Sequence, residues 1–272
     1  AAGGARTIAV NDQLWSTFLL QLEEYLPDSR FVGAGPVLVQ LRIVKDAAEI
    51  AILREASRRT DDAWEHFCSS ARLTGKSERE VAEWLSALML EHGMESIAFC
   101  IVASGPNASS PHHGTSERVI EAGDPVVIDF GGGYQGYYSD VTRTPIAGRE
   151  PDPELARIYE VVKQAQQAAF EAVKPGVACQ EIDRAARRVI TEAGYGDYFI
   201  HRVGHGLGQT VHEDPYLVEG NTRPLETGNV FSDEPGIYVP GKWGVRIEDT
   251  LVVTESGAER LNRTSKELLV LP

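Results

Sequence analysis

Four carboxylates lie at matched positions around two glycine-containing turns of this 272-residue chain. Asp129 and Asp140 flank the first turn, GGGYQG, which we expect to close a β-hairpin centred on Tyr134-Gln135. In that register the two aspartates face each other across the hairpin, with Cβ atoms about 5 Å apart. Facing like charges destabilise a sheet unless a proton or a cation lies between them.

The second turn, PGK, repeats the arrangement. A hairpin centred on Gly241 places Glu234 opposite Glu248. The neighbours of all four carboxylates are mostly apolar, which predicts burial, and four buried carboxylates without compensation would be very costly. Two divalent cations would supply four positive charges, so the sequence predicts a two-metal centre. The competing interpretation is that these side chains face solvent.

Histidines could supply a nitrogen ligand and proton-transfer groups. Five of the seven histidines lie in two short segments: His112, His113, His201, His205 and His212. Glycines on both sides of His205, in GHGLG, permit a close approach of the backbone to a site. An oxygen-rich site with one imidazole suits Mn, Co, Fe or Zn better than a metal that selects thiolates.

Two similar halves must position these residues. The segment 74–93 aligns with 175–194 without a gap, and each predicts a helix between two glycines. Longer helices are predicted over 46–71 and 153–173, and strands over 97–144 and 198–253. The repeated order favours a duplicated unit in an α+β fold with an antiparallel sheet, although chance similarity between two amphipathic helices is the competing interpretation.

The first part of the chain predicts a smaller unit. A helix is expected over Asn11–Tyr25 and a strand over Val37–Val44. About 40 residues are too few for a comfortable independent core. We therefore expect residues 1–44 to be the end of an N-terminal domain whose start is missing.

Composition and motif context argue against several other functions. Lys and Arg number 26 against 40 Asp and Glu, and a net charge of −14 argues against nucleic-acid binding and a polybasic membrane surface. No apolar run approaches the ~20 residues of a membrane span. The three cysteines have no disulfide or zinc spacing, which favours a cytoplasmic setting. The G-x-G-x-x-G at 131–136 precedes a strand pattern, whereas a dinucleotide site requires a helix there.

Together these residues resemble the pita-bread metallopeptidases, a family that includes methionine aminopeptidases, Xaa-Pro aminopeptidases and prolidases. The motifs are VVIDFGG, SDVTRT, GHGLGQTVHEDP, DEPGIY and VRIED, and the resemblance covers roughly residues 45–272. It implies an α+β fold of two pseudo-symmetric αβ halves around an antiparallel sheet. It also implies a catalytic domain over 45–272, preceded by the C-terminal remnant of a creatinase-like domain over 1–44.

The resemblance further implies a ligand set for two divalent ions, manganese first, with Co, Zn or Fe as alternatives. Asp129 would chelate one ion, Asp140 and Glu248 would bridge both, and His205 and Glu234 would complete the other. A hydroxide between the ions would be the nucleophile, with Glu234 as general base.

Four further residues receive roles from the same resemblance. His112 and His212 would contact the substrate or carry a proton, with His113 as the competing choice for His112. His201 and Arg246 would donate to the substrate on the far side of the scissile bond. Arg246 would also orient Glu248; a plain ion pair with Glu248 or Asp249 is the competing interpretation.

His201, the VRIED motif and the N-terminal unit favour the proline-specific branch. The predicted activity is therefore hydrolysis of the Xaa-Pro bond at the N-terminus of small peptides or in dipeptides. Tyr216 stands where many prolidases carry an arginine, which leaves dipeptidase and aminopeptidase both open. The alternatives are a methionine aminopeptidase and a catalytically silent binding module. Because members of the family are often dimers, the resemblance also leaves a homodimer open.

Overall fold

A computed structural model describes residues 7–272, which divide into two compact units between Ile43 and Val44. Residues 1–6 of the predicted N-terminal unit lie outside this described part. The first unit contains two parallel strands and two helices: β1 (Thr7–Val10), α1 (Ser16–Tyr25), β2 (Arg30–Gly33) and α2 (Gly35–Arg42).

The two predicted elements of this unit met different outcomes. The helix expected from Asn11 is present but begins at Ser16. The strand predicted over Val37–Val44 is wrong, because these residues mostly belong to helix α2. Pro36 lies in the first turn of that helix, where its fixed φ suits helical geometry and its missing N–H costs nothing. A short apolar run cannot by itself separate a strand from a helix.

The second unit begins with two helices followed by strands. The elements of this first half are α3 (Ala47–Ser70), α4 (Glu78–Glu91), β3 (Ser96–Ser104), β4 (Val126–Tyr134), β5 (Tyr137–Tyr138), β6 (Val141–Arg143) and β7 (Ile146–Ala147). Strand β4 pairs antiparallel with β3, β5 and β6. Helix α3 starts with a capping box formed by Asp46 and Glu49, in which each side chain accepts a hydrogen bond from the other residue's backbone N–H.

The second half repeats this order. Its elements are α5 (Pro153–Ala172), α6 (Cys179–Glu192), β8 (Gly204–Gly206), β9 (Glu213–Leu217), β10 (Val230–Asp233), β11 (Gly236–Val239), β12 (Trp243–Arg246), β13 (Asp249–Val253), β14 (Ala258–Arg260) and β15 (Val270–Leu271). Five strands form a sheet in the order β14-β13-β10-β8-β9, and β11 pairs with β12. Strand β15 pairs in parallel with β7 of the first half.

The duplication predicted from the sequence is visible at the ends of the two short helices. Each helix, α4 and α6, lies between two glycines with positive φ: Gly75 and Gly93, and Gly176 and Gly194. Each half also has its own hydrophobic core between helices and strands. In the first core Trp64 stacks on both Phe67 and Phe130.

The first hairpin has a different register from the predicted one. Its turn residues are Gln135 and Gly136, with φ of 49° and 79°, so Asp129 faces Thr142 and not Asp140. A two-residue turn that matches the twist of the strands needs positive φ at both central positions, and glycine suits the second of them. The shift is two residues, so both aspartates stay on one face of the sheet, as diagonal neighbours.

The second hairpin has the predicted register. The pairs that flank Glu234 and Glu248 are Gly236 with Arg246 and Asp233 with Asp249, so the two glutamates lie opposite each other. The ladder is interrupted at the glutamates themselves, and Glu248 instead bridges to Thr142 of the first half.

Two further sequence expectations concern the whole chain. None of the helices within residues 7–272 combines the length and apolar character needed to cross a bilayer. Cys68, Cys100 and Cys179 are free thiols.

Candidate metal centre

All nine residues singled out from the sequence line one cavity of about 330 Å³. They are His112, Asp129, Asp140, His201, His205, His212, Glu234, Arg246 and Glu248. The cavity lies where the strands of the two halves meet, at the bridge between Thr142 and Glu248. A single cavity therefore collects side chains that are up to 136 positions apart in the chain, from His112 to Glu248.

Short strands and their ends hold the five predicted ligands. Asp129 lies on β4, Asp140 directly precedes β6, and His205 is the central residue of β8. Glu234 directly follows β10, and Glu248 lies between β12 and β13. Because these strands are paired or bridged to one another, backbone hydrogen bonds fix the spacing of the side chains.

Three of the predicted ligands form a compact buried group. One donor atom each from Asp140, His205 and Glu248 lie within 4.8 Å of one another. The Nε2 atom of His205 is 3.2 Å from Glu234 Oε1 and 3.6 Å from Asp140 Oδ2. Its Nδ1 is 3.1 Å from the carbonyl oxygen of Gly206 and so donates there, a contact that turns Nε2 toward the carboxylates.

Burial and mutual repulsion dominate the electrostatics of the group. Burial, reinforced by the charge of Asp129, holds the pKa of Asp140 well above its usual range, and burial with the charge of Asp140 does the same for Glu248. Burial also opposes ionisation of Glu234, but the hydrogen bond with His205 outweighs it and lowers the pKa of Glu234 to about 2. Three or four carboxylates in one buried space form the donor set that hard or borderline divalent cations prefer.

Asp129 forms an ion pair with Arg246, which excludes the competing interpretation of Arg246. The Nη2 atom of Arg246 is 2.7 Å from Asp129 Oδ2, so its ion pair is not with Glu248 or Asp249. Arg246 reaches Glu248 indirectly: its Nε donates to Thr142 Oγ1 at 3.1 Å, and that hydroxyl donates to Glu248 Oε2 at 2.6 Å. The other oxygen of Asp129, Oδ1, is buried and has no hydrogen-bond partner within residues 7–272, which fits a metal ligand.

His201 joins the same network through a residue that the sequence reasoning missed. Its Nδ1 donates to the carbonyl of Arg202 at 2.8 Å, which leaves Nε2 to accept from the hydroxyl of Tyr238 at 3.0 Å. Arg246 Nη1 donates to that same hydroxyl oxygen at 3.0 Å. Burial lowers the pKa of His201 to about 4, so the ring is neutral and both of its nitrogens are engaged. In this geometry His201 has no free N–H to offer a substrate, and the Tyr238 hydroxyl links it to Arg246.

The remaining histidines separate by position. His112 lines the cavity, whereas the Nε2 of the adjacent His113 lies 3.9 Å from the buried Glu78 carboxylate. His212 packs its ring against His205, with centroids 4.0 Å apart. Burial, aided by the charge of His205, lowers the pKa of His212 to about 4, so this imidazole is also neutral.

Five lining residues were not found from the sequence. They are Phe99, Ile101, Pro111, Arg202 and Val211. Arg202 stacks over the ring of Tyr216 at 5.0 Å, and its Nε has no hydrogen-bond partner in the described part of the chain. The one sequence signal for Arg202 was its position next to His201. For Tyr238, the comparable signal was its position in the motif DEPGIY.

The opposite face of the strands carries two further acidic residues, of which Asp249 is surrounded by cations. Asp233 and Asp249 neighbour Glu234 and Glu248 in the sequence, so their side chains point to the other side of the sheet. Asp249 accepts hydrogen bonds from Arg143 at 2.7 Å and Gln166 at 3.1 Å. The cationic groups of Arg260 and Lys266 also lie within 4 Å of its carboxylate, at 3.3 Å and 3.6 Å.

This chain is similar to several known peptidases over nearly its whole length. The probable dipeptidase PepE of Mycobacterium tuberculosis is 45% identical over 272 residues, 99% of this chain and 72% of the relative. The Xaa-Pro dipeptidase of Pyrococcus furiosus is 43% identical, over 97% of this chain and 75% of the relative. The crystal structure of an X-Pro aminopeptidase from Thermotoga maritima superposes with a TM-score of 0.92 at 37% identity, covering 98% of this chain and 75% of that one.

These similarities confirm the pita-bread fold that the sequence predicted. They also confirm the prediction that the chain is a metallopeptidase. The model of metallopeptidase family M24 matches residues 51–255, which include the nine predicted site residues. The chain belongs to metallopeptidase family M24.

Proposed function

We propose that this chain is a metal-dependent Xaa-Pro dipeptidase. The observation that carries the proposal is the joining of two features in one cavity: the buried Asp140–His205–Glu248 group and the neighbouring chain of His201, Tyr238 and Arg246. The first suits divalent cations and the second suits recognition of the substrate. The names of the relatives, a dipeptidase and an Xaa-Pro dipeptidase, support the same activity.

The proposed ligands are Asp129, Asp140, His205, Glu234 and Glu248, which would hold two divalent cations. We propose manganese first, with cobalt, zinc or iron as alternatives, since the set is rich in oxygen and has one imidazole. When bound, the cations would polarise the scissile carbonyl and lower the pKa of the attacking water.

The chain's own residues would then move protons and stabilise charge. Glu234 is ionised at neutral pH and receives a hydrogen bond from Ser232 Oγ at 3.1 Å, so its carboxylate is oriented to accept a proton. The neutral imidazole of His212 carries one N–H, which would donate to the oxygen that becomes negative in the transition state. His112 lines the same cavity and would act beside it.

Proline recognition must avoid the scissile nitrogen, because an Xaa-Pro bond has no amide N–H. The site would instead read the shape of the ring and the oxygens that flank it. Arg246 is charged at all working pH values and is fixed by four hydrogen-bond acceptors: Asp129, Thr142, Tyr238 and the Pro111 carbonyl. We propose that this rigidity, maintained through Tyr238 and His201, orients the residue after the scissile bond.

Several finer assignments belong to the same proposal. We assign residues 1–44 to a creatinase-like N-terminal unit and residues 45–272 to the catalytic domain. Small peptides are the proposed partners, and a homodimer is compatible with the family. The free cysteines fit the cytoplasm as compartment.

The test is a panel of metal-supplemented hydrolysis reactions with Met-Pro, Met-Ala, Met-Pro-Ala and Met-Ala-Ala. We expect Met-Pro to be cleaved with the highest kcat/KM, and Tyr238→Phe to lose most of the preference for Met-Pro over Met-Ala. A preference for Met-Ala would show a methionine aminopeptidase instead. No hydrolysis of any peptide, with metal bound, would favour a catalytically silent binding module.

A further inference from the structure

A buried glutamate outside the catalytic cavity contacts the segment that carries His112. Glu78 is the first residue of α4, and it is fully buried. The helix does not need this carboxylate as a cap, because Ser77 and Glu80 form the capping box there. A buried carboxylate is costly unless hydrogen bonds satisfy its oxygens, so the partners of Glu78 show what this side chain holds in place.

The two carboxylate oxygens of Glu78 bind opposite ends of one loop, residues 104–116. Oε1 accepts from the backbone N–H and the hydroxyl of Ser104, at 2.7 and 2.8 Å, and from Asn107 Nδ2 at 3.0 Å. Oε2 accepts from the backbone N–H and the hydroxyl of Ser116, at 3.0 and 2.6 Å. One side chain therefore joins both ends of the loop.

The donors of the loop are uncharged, yet they keep the carboxylate of Glu78 ionised. Burial opposes ionisation, but the hydrogen bonds from Ser116, Ser104 and Asn107 outweigh it and lower the pKa of Glu78. An ionised acceptor makes shorter and stronger hydrogen bonds than a neutral one. Both oxygens of a carboxylate only accept, so this group suits two loop ends that each present donors.

The middle of the same loop reaches the catalytic cavity. Pro111 and His112 line that cavity, and the carbonyl of Pro111 accepts from Arg246 Nη1 at 3.3 Å. His112 is an exposed residue, so the location of its ring in the cavity depends on the backbone that carries it. The conformation of a compact loop depends on how its two ends are held, and here Glu78 holds both.

We propose that Glu78 is a positioning residue for His112: by binding both ends of the 104–116 loop, its carboxylate holds the imidazole in place beside the substrate. The inference rests on the proposed function, in which His112 acts on the substrate. Glu78 itself does not line the catalytic cavity, so it acts only through the loop. Such positioning has a large effect on rate, because a displacement of about 1 Å can cost on the order of 10²-fold.

The substitution Glu78→Gln removes one acceptor at nearly constant volume. An amide presents one oxygen and one NH₂ group, so the donors at one end of the loop would face another donor. We expect Glu78→Gln to retain its metal, to lose about 10- to 100-fold in kcat for Met-Pro, and to keep KM within about twofold of wild type. Glu83→Gln, the same change on the exposed side of α4, is the control and should behave like wild type.

A double-mutant cycle with His112→Ala distinguishes positioning of His112 from a general structural role. Once the imidazole is absent its position no longer matters, so Glu78→Gln should lower kcat by less than about twofold in that background. An equal loss in both backgrounds would show that Glu78 acts independently of His112 and would overturn the inference. If Glu78→Gln does not fold, Ser116→Ala takes its place in the cycle. It removes one of the two donors to Oε2, and a loss of about 3- to 10-fold in kcat is expected.

Amide hydrogen exchange of the metal-loaded protein tests the loop without turnover. The amides of Ser104 and Ser116 should exchange at least tenfold faster in Glu78→Gln than in wild type, roughly the effect of losing one buried hydrogen bond, while α6 stays unchanged. Equal protection of both amides in the two proteins would contradict the inference. If wild type hydrolyses no peptide but this difference in exchange is present, the proposed function fails and the hold of Glu78 on the loop is supported.

Discussion

Asp140 differs from the other carboxylates of the metal centre in how it is held. Asp129 is paired with Arg246, Glu248 accepts from Thr142, and Glu234 accepts from Ser232. No side chain of the described residues donates such a bond to Asp140; its nearest cationic partner is His205, at 3.6 Å. If these residues hold the proposed cations, the charge of Asp140 is therefore the one that we expect to depend on them most.

Replacing Asp140 by asparagine should remove metal and activity while leaving the fold intact. The change deletes one negative charge from the ligand set at almost constant volume. We expect Asp140→Asn to bind less metal by elemental analysis and to lose at least ~10²-fold in turnover. Asp62→Asn, a similar change on the solvent-facing side of α3, is the control and should behave like wild type. Normal turnover with full metal content would refute the assignment of Asp140 as a ligand.

Adjacent histidines give a matched pair of variants. His112→Ala should retain metal and lose ~10²–10⁴-fold in kcat, because a positioned proton-transfer or oxyanion group contributes about that much. His113→Ala should lose little, since His113 lies against Glu78 and outside the cavity lining. If His113→Ala loses the activity and His112→Ala does not, His113 has the role proposed for His112. A large loss of metal from His112→Ala would show that His112 is a metal ligand.

At the scale of elements, the hairpins explain what the sequence could and could not predict. A glycine at the centre of a three-residue loop located the second hairpin correctly, with Gly241 at φ 71°. The first turn contains four glycines, so several residue pairs could stand at its centre. The pair observed there, Gln135-Gly136, requires a positive φ at Gln135, and glutamine is not a residue type that predicts one. The two aspartates still lie on the same face of the sheet despite this error, because a register shift of two residues moves no side chain to the other face.

The duplicated helices offer a test of local stability. Ser77 caps α4 in a capping box with Glu80, with hydrogen bonds of 3.1 and 2.8 Å, whereas the equivalent residue before α6 is Ala178. Glu181 already stands three residues later, so Ala178→Ser should complete the second box and raise the free energy of unfolding by about 1 kcal/mol.

Chemical denaturation measures this change. The control is the opposite substitution at the equivalent position, Ser77→Ala, which should lower the free energy of unfolding by about 1 kcal/mol. If Ala178→Ser leaves the midpoint unchanged while Ser77→Ala lowers it, the two helix starts are not equivalent.

For the whole molecule, the sequence predicted which side chains come together in one cavity better than it predicted the contacts around them. The motif residues could be selected from the sequence because few residue types suit a metal site, so their pattern stands out. Arg202 and Tyr238 were missed because their roles arise from packing between segments, and neither residue type is restricted to a site. The ion pair of Arg246 with Asp129 joins the two halves, a contact that no local pattern could predict.

Asp61 of α3 connects the first half to the C-terminal segment of the second half. This buried carboxyl group should make the free energy of unfolding depend on pH. Its carboxylate accepts from Arg263 N and Asn262 Nδ2, yet burial outweighs these bonds and raises the pKa of Asp61 to about 6. The folded state therefore binds the proton more tightly than the unfolded one, and this contribution to stability is lost as pH rises through about 6.

We expect Asp61→Asn to match wild type near pH 4 and to exceed it above pH 7 by up to about 3 kcal/mol in the free energy of unfolding. Urea denaturation at several pH values measures this difference. A constant difference across the range would exclude Asp61 as the source.

The two faces of the central strands neutralise their acids by different means. Toward the cavity, Glu234 and Glu248 would be neutralised by the proposed cations; on the reverse, Asp249 is matched by Arg143, Arg260 and Lys266, which are part of the chain. The countercharges on the first face would thus be exchangeable, whereas those of Asp249 are permanent. A chelator would remove only the first set, so we expect the ion pairs of Asp249 to survive the loss of metal.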